Sequence, residues 1–239
     1  MSAALRLLLF GPPSFEGAPS GAELLAQPKR LALFAYLALG RPGGFVRRDQ
    51  ITAMFWPEHD ATHARAALRK AVHALRALVG AETIISRGDE ELALAPDRVW
   101  IDAVAFRAAV AAERHDEAQQ LYSGVLLDGV HADAPGFEEW LMAERRRCQE
   151  DVVVASWALA KQHEAAASLT LATRMARQAA RLAETDERTI RNAMRLLARA
   201  GDRAGALQVY EEFTGRLRRE LDVEPSAETR ALAEELRRA

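Results

Sequence analysis

Apolar residues recur at three- and four-residue steps along most of the chain, the spacing of helices that bury one face. Two regions depart from it, near the N-terminus and around residue 85. Leu5 to Phe10 is a strand-like run, part of a small N-terminal sheet. It ends at Gly11-Pro12-Pro13, and the Gly/Pro/Ser-rich stretch to Gly21 reads as turns. Pro28 suits the first turn of a helix that buries Leu31, Phe34, Ala35, Leu37, Ala38 and Leu39. Gly40, Pro42, Gly43 and Gly44 stop that helix, and Phe45-Val46 reads as an extended link. A second helix from about Arg48 carries Ile51, Met54, Phe55 and Trp56, and Pro57 ends it. A third runs from Asp60 to Gly80, with Leu68, Ala71, Val72, Leu75, Leu78 and Val79 as its apolar stripe. The β-branched Thr83 to Ser86 and the run Leu92 to Leu94 then flank the turn Arg87-Gly88-Asp89-Glu90-Glu91, which predicts a hairpin. Three helices and a hairpin make a winged helix.

Pro96-Asp97-Arg98 is a break, so a first domain is expected over 1–98 and a second over 99–239. Nearly everything in the second reads as helix. Asp102 suits an N-cap. Helices are expected over His115–Ser123, from about Phe137 to Glu164, and near Ala166–Ala183, Asp186–Ala200, Asp202–Glu220 and Ser226–Arg238. The loop between Gly124 and Gly136 carries Leu126-Leu127, expected to point inward. Ala118 and Tyr122 repeat the spacing of Ala206 and Tyr210, a small-then-large pattern found in stacked helical hairpins of the tetratricopeptide type. Ordinary alanine-rich helices would also produce it. The fold class expected is mainly α: an N-terminal winged helix-turn-helix of α+β character, then an all-α tetratricopeptide-like domain.

Charge changes the picture at one helix. The chain of 239 residues has a net charge of −2, so any polyanion footprint must be local. Between Asp60 and Glu82 there is no acid, while Thr62, Arg65, Arg69, His73 and Arg76 recur on one face with Lys70 beside them. A surface helix normally mixes charges for i,i+4 support. An all-basic face is either a solvated surface or a fit to nucleic acid. An α-helix enters the major groove, where Arg and Lys pair with guanine O6 and N7.

The stretch from Leu31 to Gly80 resembles the winged-helix effector domain of the response-regulator type, in the form found in Streptomyces antibiotic regulatory proteins. The landmarks are Leu31-Ala32-Leu33, Pro42-Gly43, Val46-Arg47-Arg48, Trp56-Pro57 and Leu75-Arg76-Ala77-Leu78. The resemblance implies that the helix over 61–79 is the recognition helix and that Arg65, Arg69, Lys70, His73 and Arg76 face DNA. Arg65 and Arg69 are assigned to bases, Lys70 and Arg76 to phosphates. Thr62, Arg47, Arg48 and Arg87 are further candidate contacts. The wing tip departs from the family pattern, because Gly88-Asp89-Glu90-Glu91 is acidic where basic residues are usual. Three acids repel phosphates within a Debye length, so strong wing contacts are not expected.

The second half carries a matching resemblance. Trp100-Ile101-Asp102, Leu121-Tyr122-Ser123-Gly124, the segment from Trp140 to Arg145, Ala200-Gly201-Asp202, and Glu220-Leu221 before Glu224-Pro225-Ser226 are similar to the bacterial transcriptional activation domain. By resemblance, such a domain contacts RNA polymerase or another protomer, and the regulator binds direct repeats as a homodimer.

Enzyme chemistry finds little support. The paired carboxylates at 138–139, 211–212 and 234–235 lie among arginines on helical faces. His59 and His63 are four apart but lack an evident third metal ligand. No phosphate-binding glycine loop or nucleophile elbow is present. No cofactor or metal is expected. The single cysteine, Cys148, excludes an internal disulfide and suits a reducing compartment. No apolar stretch reaches the length of a membrane span. A cytoplasmic, DNA-binding regulator of double-stranded DNA, an activator by resemblance, is the leading expectation. The alternative is a protein-interaction module whose winged helix no longer binds DNA.

Overall fold

The computed structural model describes residues 5–17, 21–41, 43–95 and 97–238. The expected turn residues Pro42 and Pro96, and part of the expected turn before Gly21, lie outside the described residues. In chain order the elements are β1 (Leu5–Leu8), β2 (Ser14–Glu16), α1 (Gly21–Leu25), α2 (Pro28–Leu39), β3 (Val46–Arg47), α3 (Arg48–Phe55), α4 (Ala61–Val79), β4 (Ile84–Arg87), β5 (Glu91–Leu94), β6 (Val99–Ile101), α5 (Asp102–Ala111), α6 (His115–Leu121), α7 (Pro135–Ala165), α8 (Leu169–Leu182), α9 (Glu187–Arg199), α10 (Arg203–Leu221) and α11 (Ala227–Arg238). They divide into two units: residues 1–111 with 120–146, and residues 112–119 with 147–239.

The first unit is the winged helix and more. The wing is a three-stranded antiparallel sheet in the order β3-β5-β4. Val46, expected as part of a link, instead pairs with Leu92 as the third strand. A second sheet has the order β2-β1-β6, with β1 antiparallel to β2 and parallel to β6. β2 thus adds a strand to the expected N-terminal sheet within the stretch read as turns, and α1 follows it as an element that was not expected. Burial of Phe34, Phe55 and Leu68, together with Leu31, Leu33 and Leu75, joins α2, α3 and α4 into one core.

The unit does not stop at residue 98. Val99 to Ile101 forms the edge of the β1 sheet. Phe106 of α5 meets Phe10 edge-on at 5.2 Å, and Phe10 lies 5.0 Å from Tyr122. In the first turns of α7, Phe137 lies 5.3 Å from Phe55, and Trp140 packs edge-on against Tyr36 at 5.0 Å. Leu126 and Leu127 are buried as expected, and Arg145 donates to both their carbonyls at 2.7 Å. Arg107 pairs with the buried Glu144 and donates to the Leu39 carbonyl. Glu138, expected on a solvated face, is half-buried and accepts from the Ala132 amide at 2.7 Å. The physical reason is plain: the winged helix's aromatic faces need apolar cover, and residues beyond 98 supply it.

Asp102 does more than begin α5. Its carboxylate is buried and accepts from the amides of Leu9 at 2.8 Å, Phe10 at 3.0 Å and Ala103 at 2.7 Å. Burial outweighs those amides and pushes the carboxyl above its ordinary range. The folded protein thus holds this proton more tightly than the unfolded chain does. The carboxyl favours the fold most below its ordinary range, and that advantage is lost as pH rises through the raised value. Asp102→Ala is expected to cost about 1–3 kcal/mol, because the Leu9, Phe10 and Ala103 amides then lose their acceptor. Urea titrations between about pH 3 and pH 7 should also show that the variant loses this part of the pH dependence.

The second unit is a stack of antiparallel helices joined by short turns. Its core gathers Leu159, Met175, Ile190, Met194, Leu197, Phe213 and Leu217, with Ala172, Ala176, Ala193 and Ala206 where the helices cross. Small residues at the crossings let the backbones approach, and Ala118 and Ala206, the repeated small positions, are both fully buried. Side-chain caps fix the turns. Asp186 accepts from the Arg188 amide, and Asp202 accepts from the Gly205 amide while pairing with Arg177. Glu187 clips α9 to the start of α11 by accepting from the Ser226 amide and from Thr229. Cys148 is buried.

Candidate nucleic-acid interface

The basic row sits on α4, and local chemistry explains why that helix forms where it does. Asp60 caps it, accepting from the Thr62 amide at 2.9 Å and the His63 amide at 3.0 Å. The same carboxylate lies 2.6 Å from His63 Nδ1. The His63 amide, then its ring, hold the Asp60 carboxyl below its ordinary range. Gly80, with φ of +102°, ends the helix in a conformation that disfavours a side chain. Thr83 then donates to the Val79 carbonyl at 2.7 Å. Leu68, Val72 and Leu75 anchor the opposite face in the core. Leu78, assigned to the apolar stripe, is only half-buried.

The predicted cations part into two groups. Arg65, Arg69, Lys70 and His73 are exposed, as is Thr62. Among the described residues no side-chain hydrogen bond or ion pair engages Arg65, Arg69, Lys70 or His73. The other four are spent within the protein. Arg76, assigned to phosphate, is half-buried and donates twice to the Ile84 carbonyl, at 3.0 and 2.7 Å, and to Ser86 Oγ at 3.1 Å. It braces the wing against the helix. Arg48 also turns to the wing: its amide donates to the Glu90 carbonyl at 2.8 Å, and Nη2 reaches Ser86 Oγ at 3.4 Å. Burial, then the neighbouring Arg76, pull the Arg48 guanidinium below its ordinary range. Arg47 grips Asp49 at 2.6 Å, and Arg87 pairs with Glu91 while lying 4.3 Å over the Phe45 ring.

The wing's role in this site was not legible in the sequence beyond its charge. A cleft of about 520 Å³ runs between α4 and the wing. Arg48, Arg65, Arg69, His73 and Arg76 line it on one side, Asp89 and Glu90 on the other. Ser86, the hydroxyl that receives both Arg76 and Arg48, carried no motif that would mark it.

Lys70 and Arg76 are therefore expected to behave differently. Lys70→Ala should leave thermal stability unchanged and, if the lysine meets phosphate, flatten the salt dependence of duplex binding by about one unit. Arg76→Ala should cost about 1–3 kcal/mol of stability, because the Ile84 carbonyl loses a charged donor. Thermal melts of the two variants side by side check the contrast.

A winged helix with a bare cationic face on its third helix, followed by stacked helical hairpins, is the architecture of a bacterial transcription regulator. Residues 102–237 match the family described as "Bacterial transcriptional activator domain", and the chain belongs to that family. It is 31% identical to regulatory protein AfsR of Streptomyces griseus over 99% of its own length, and spans 25% of that protein's length. Mycobacterium tuberculosis EmbR, solved in complex with a low-affinity phosphopeptide, shares the fold with a TM-score of 0.65 at 23% identity, over 98% of this chain and 65% of that one. The family is regulatory rather than enzymatic. Among the described residues no helix is long and apolar enough to cross a membrane.

Proposed function

We propose that the chain is a sequence-specific DNA-binding transcriptional activator of the cytoplasm that acts without catalysis or cofactor. The observation that carries this reading is the row Arg65, Arg69, Lys70 and His73, exposed and uncompensated on a helix capped at Asp60 and braced at Arg76. Residues of the N-terminal half of α4 reach base edges, with Arg65 and Arg69 as readers of guanine and Lys70 on phosphate. Arg76 and Arg48 act by positioning the wing. The helical second unit is the surface for RNA polymerase or a second protomer, and the regulator works as a homodimer on direct repeats. Selection of bound duplexes from a random pool tests the reading. A repeated motif enriched by the wild type and lost with Arg65→Ala/Arg69→Ala supports it, and the repeat spacing reports the protomer count.

A second reading is a protein-interaction module without DNA affinity. The unpaired acids at the wing favour it, as do the internal pairs that consume Arg47 and Arg87. Duplex binding that is absent even at low salt would establish it, because counterion release makes any phosphate contact strongest there.

A further inference from the structure

The acids of the wing tip are disposed unlike the other acids around α4. Asp49 is paired with Arg47, Glu91 with Arg87, and Asp60 is held by two amides and the His63 ring. Asp89 and Glu90 are exposed, and among the described residues neither makes an ion pair. Yet they line the same cleft as Arg65, Arg69 and His73, whose side chains are equally unpaired among the described residues. The wing cannot easily swing them away. Arg76 fixes β4 through the Ile84 carbonyl, and the Arg48 amide holds the Glu90 carbonyl at 2.8 Å. Gly88, with φ of +57°, turns the hairpin just before the two acids. The backbone of the tip is thus held so that two carboxylates lie across the cleft from the α4 arginines.

A phosphate backbone entering that cleft meets attraction from α4 and repulsion from the wing. Electrostatic attraction to phosphates is indifferent to sequence, whereas base-edge contacts are not. Repulsion that subtracts from the first lowers affinity for every duplex by a similar factor and leaves discrimination between duplexes to the second. Resting on the DNA-binding reading, we propose that Asp89 and Glu90 are an electrostatic brake: they weaken backbone attraction in the α4–wing cleft for every duplex, so that stable binding needs the base contacts of Arg65 and Arg69 in addition. The carboxylates have a second conceivable use, accepting from cytosine N4, which would make them readers instead.

The test compares the full chain with its Asp89→Asn/Glu90→Gln variant, isosteric changes at exposed positions that leave the Glu90 carbonyl in place. Fluorescence anisotropy follows binding to the pool-selected duplex and to a scrambled duplex, from about 50 to about 200 mM salt. The variant should bind both duplexes about tenfold more tightly at low salt, by a similar factor, with a steeper salt slope for both. Unchanged affinity for the scrambled duplex overturns the proposal. A loss confined to the selected duplex overturns it in favour of cytosine readout. Binding of neither duplex by wild type or variant overturns the DNA-binding reading itself, and the proposal with it.

Discussion

Arg65→Ala/Arg69→Ala should lower affinity for the selected duplex by about thirtyfold or more while leaving thermal stability at the wild-type value. A bidentate arginine–guanine pair contributes about 1–3 kcal/mol of discrimination, so two such losses correspond to about 2–6 kcal/mol. Stability should not follow, because both side chains are exposed and unpaired and the helix is anchored by Leu68, Val72 and Leu75 on its other face. Alanine also suits a helix interior better than arginine does, by a small margin. Affinity for a scrambled duplex should fall far less, through lost charge alone. Anisotropy titrations on both duplexes, with a melt of the same variant, check all three statements. Equal losses on selected and scrambled DNA would move Arg65 and Arg69 from base readers to phosphate contacts.

Phe137→Ala should cost about 3–5 kcal/mol, the range for removing a fully buried aromatic ring. The ring is inaccessible to solvent and lies 5.3 Å from Phe55 and 5.4 Å from Trp140. The effect should reach DNA. Phe55 is the last residue of α3, the helix that leads into the Asp60 cap, and Phe55 also meets Tyr36 of α2 at 5.9 Å. Loosening that cluster frees the scaffold on which α4 is held. Urea unfolding gives the stability loss. Duplex affinity measured at a temperature where the variant remains folded then separates a softened scaffold from an unfolded one. A loss below about 1 kcal/mol would show that this end of α7 is not part of the winged helix's core.

Much of this was written in local pattern. The 3.6-residue period of Leu68, Val72, Leu75 and Val79, the Asp60 cap, the Gly80 stop and the absence of acids determined α4 and its two faces, because helix formation and amphipathicity depend on neighbours three and four residues apart. The hairpin around Gly88 and the helices of the second half were legible for the same reason. What the sequence could not determine was which distant segments share a face. Val46 as a wing strand, β6 beside β1, the Asp102 carboxylate against the Leu9 and Phe10 amides, and Phe137 on Phe55 all join residues separated by tens of positions. They arise from burial and hydrogen-bond satisfaction, which carry no periodic signature.

The candidate site divides along the same line. A row of like charges is visible in one dimension, so Arg65, Arg69, Lys70 and His73 stood out before any coordinates. Whether a cation is available to a ligand depends on what lies within a few ångströms of it. Only the tertiary structure decided that Arg76 and Arg48 hold the wing, that Arg47 and Arg87 answer their own acids, and that Asp89 and Glu90 wall the cleft opposite the bare cations.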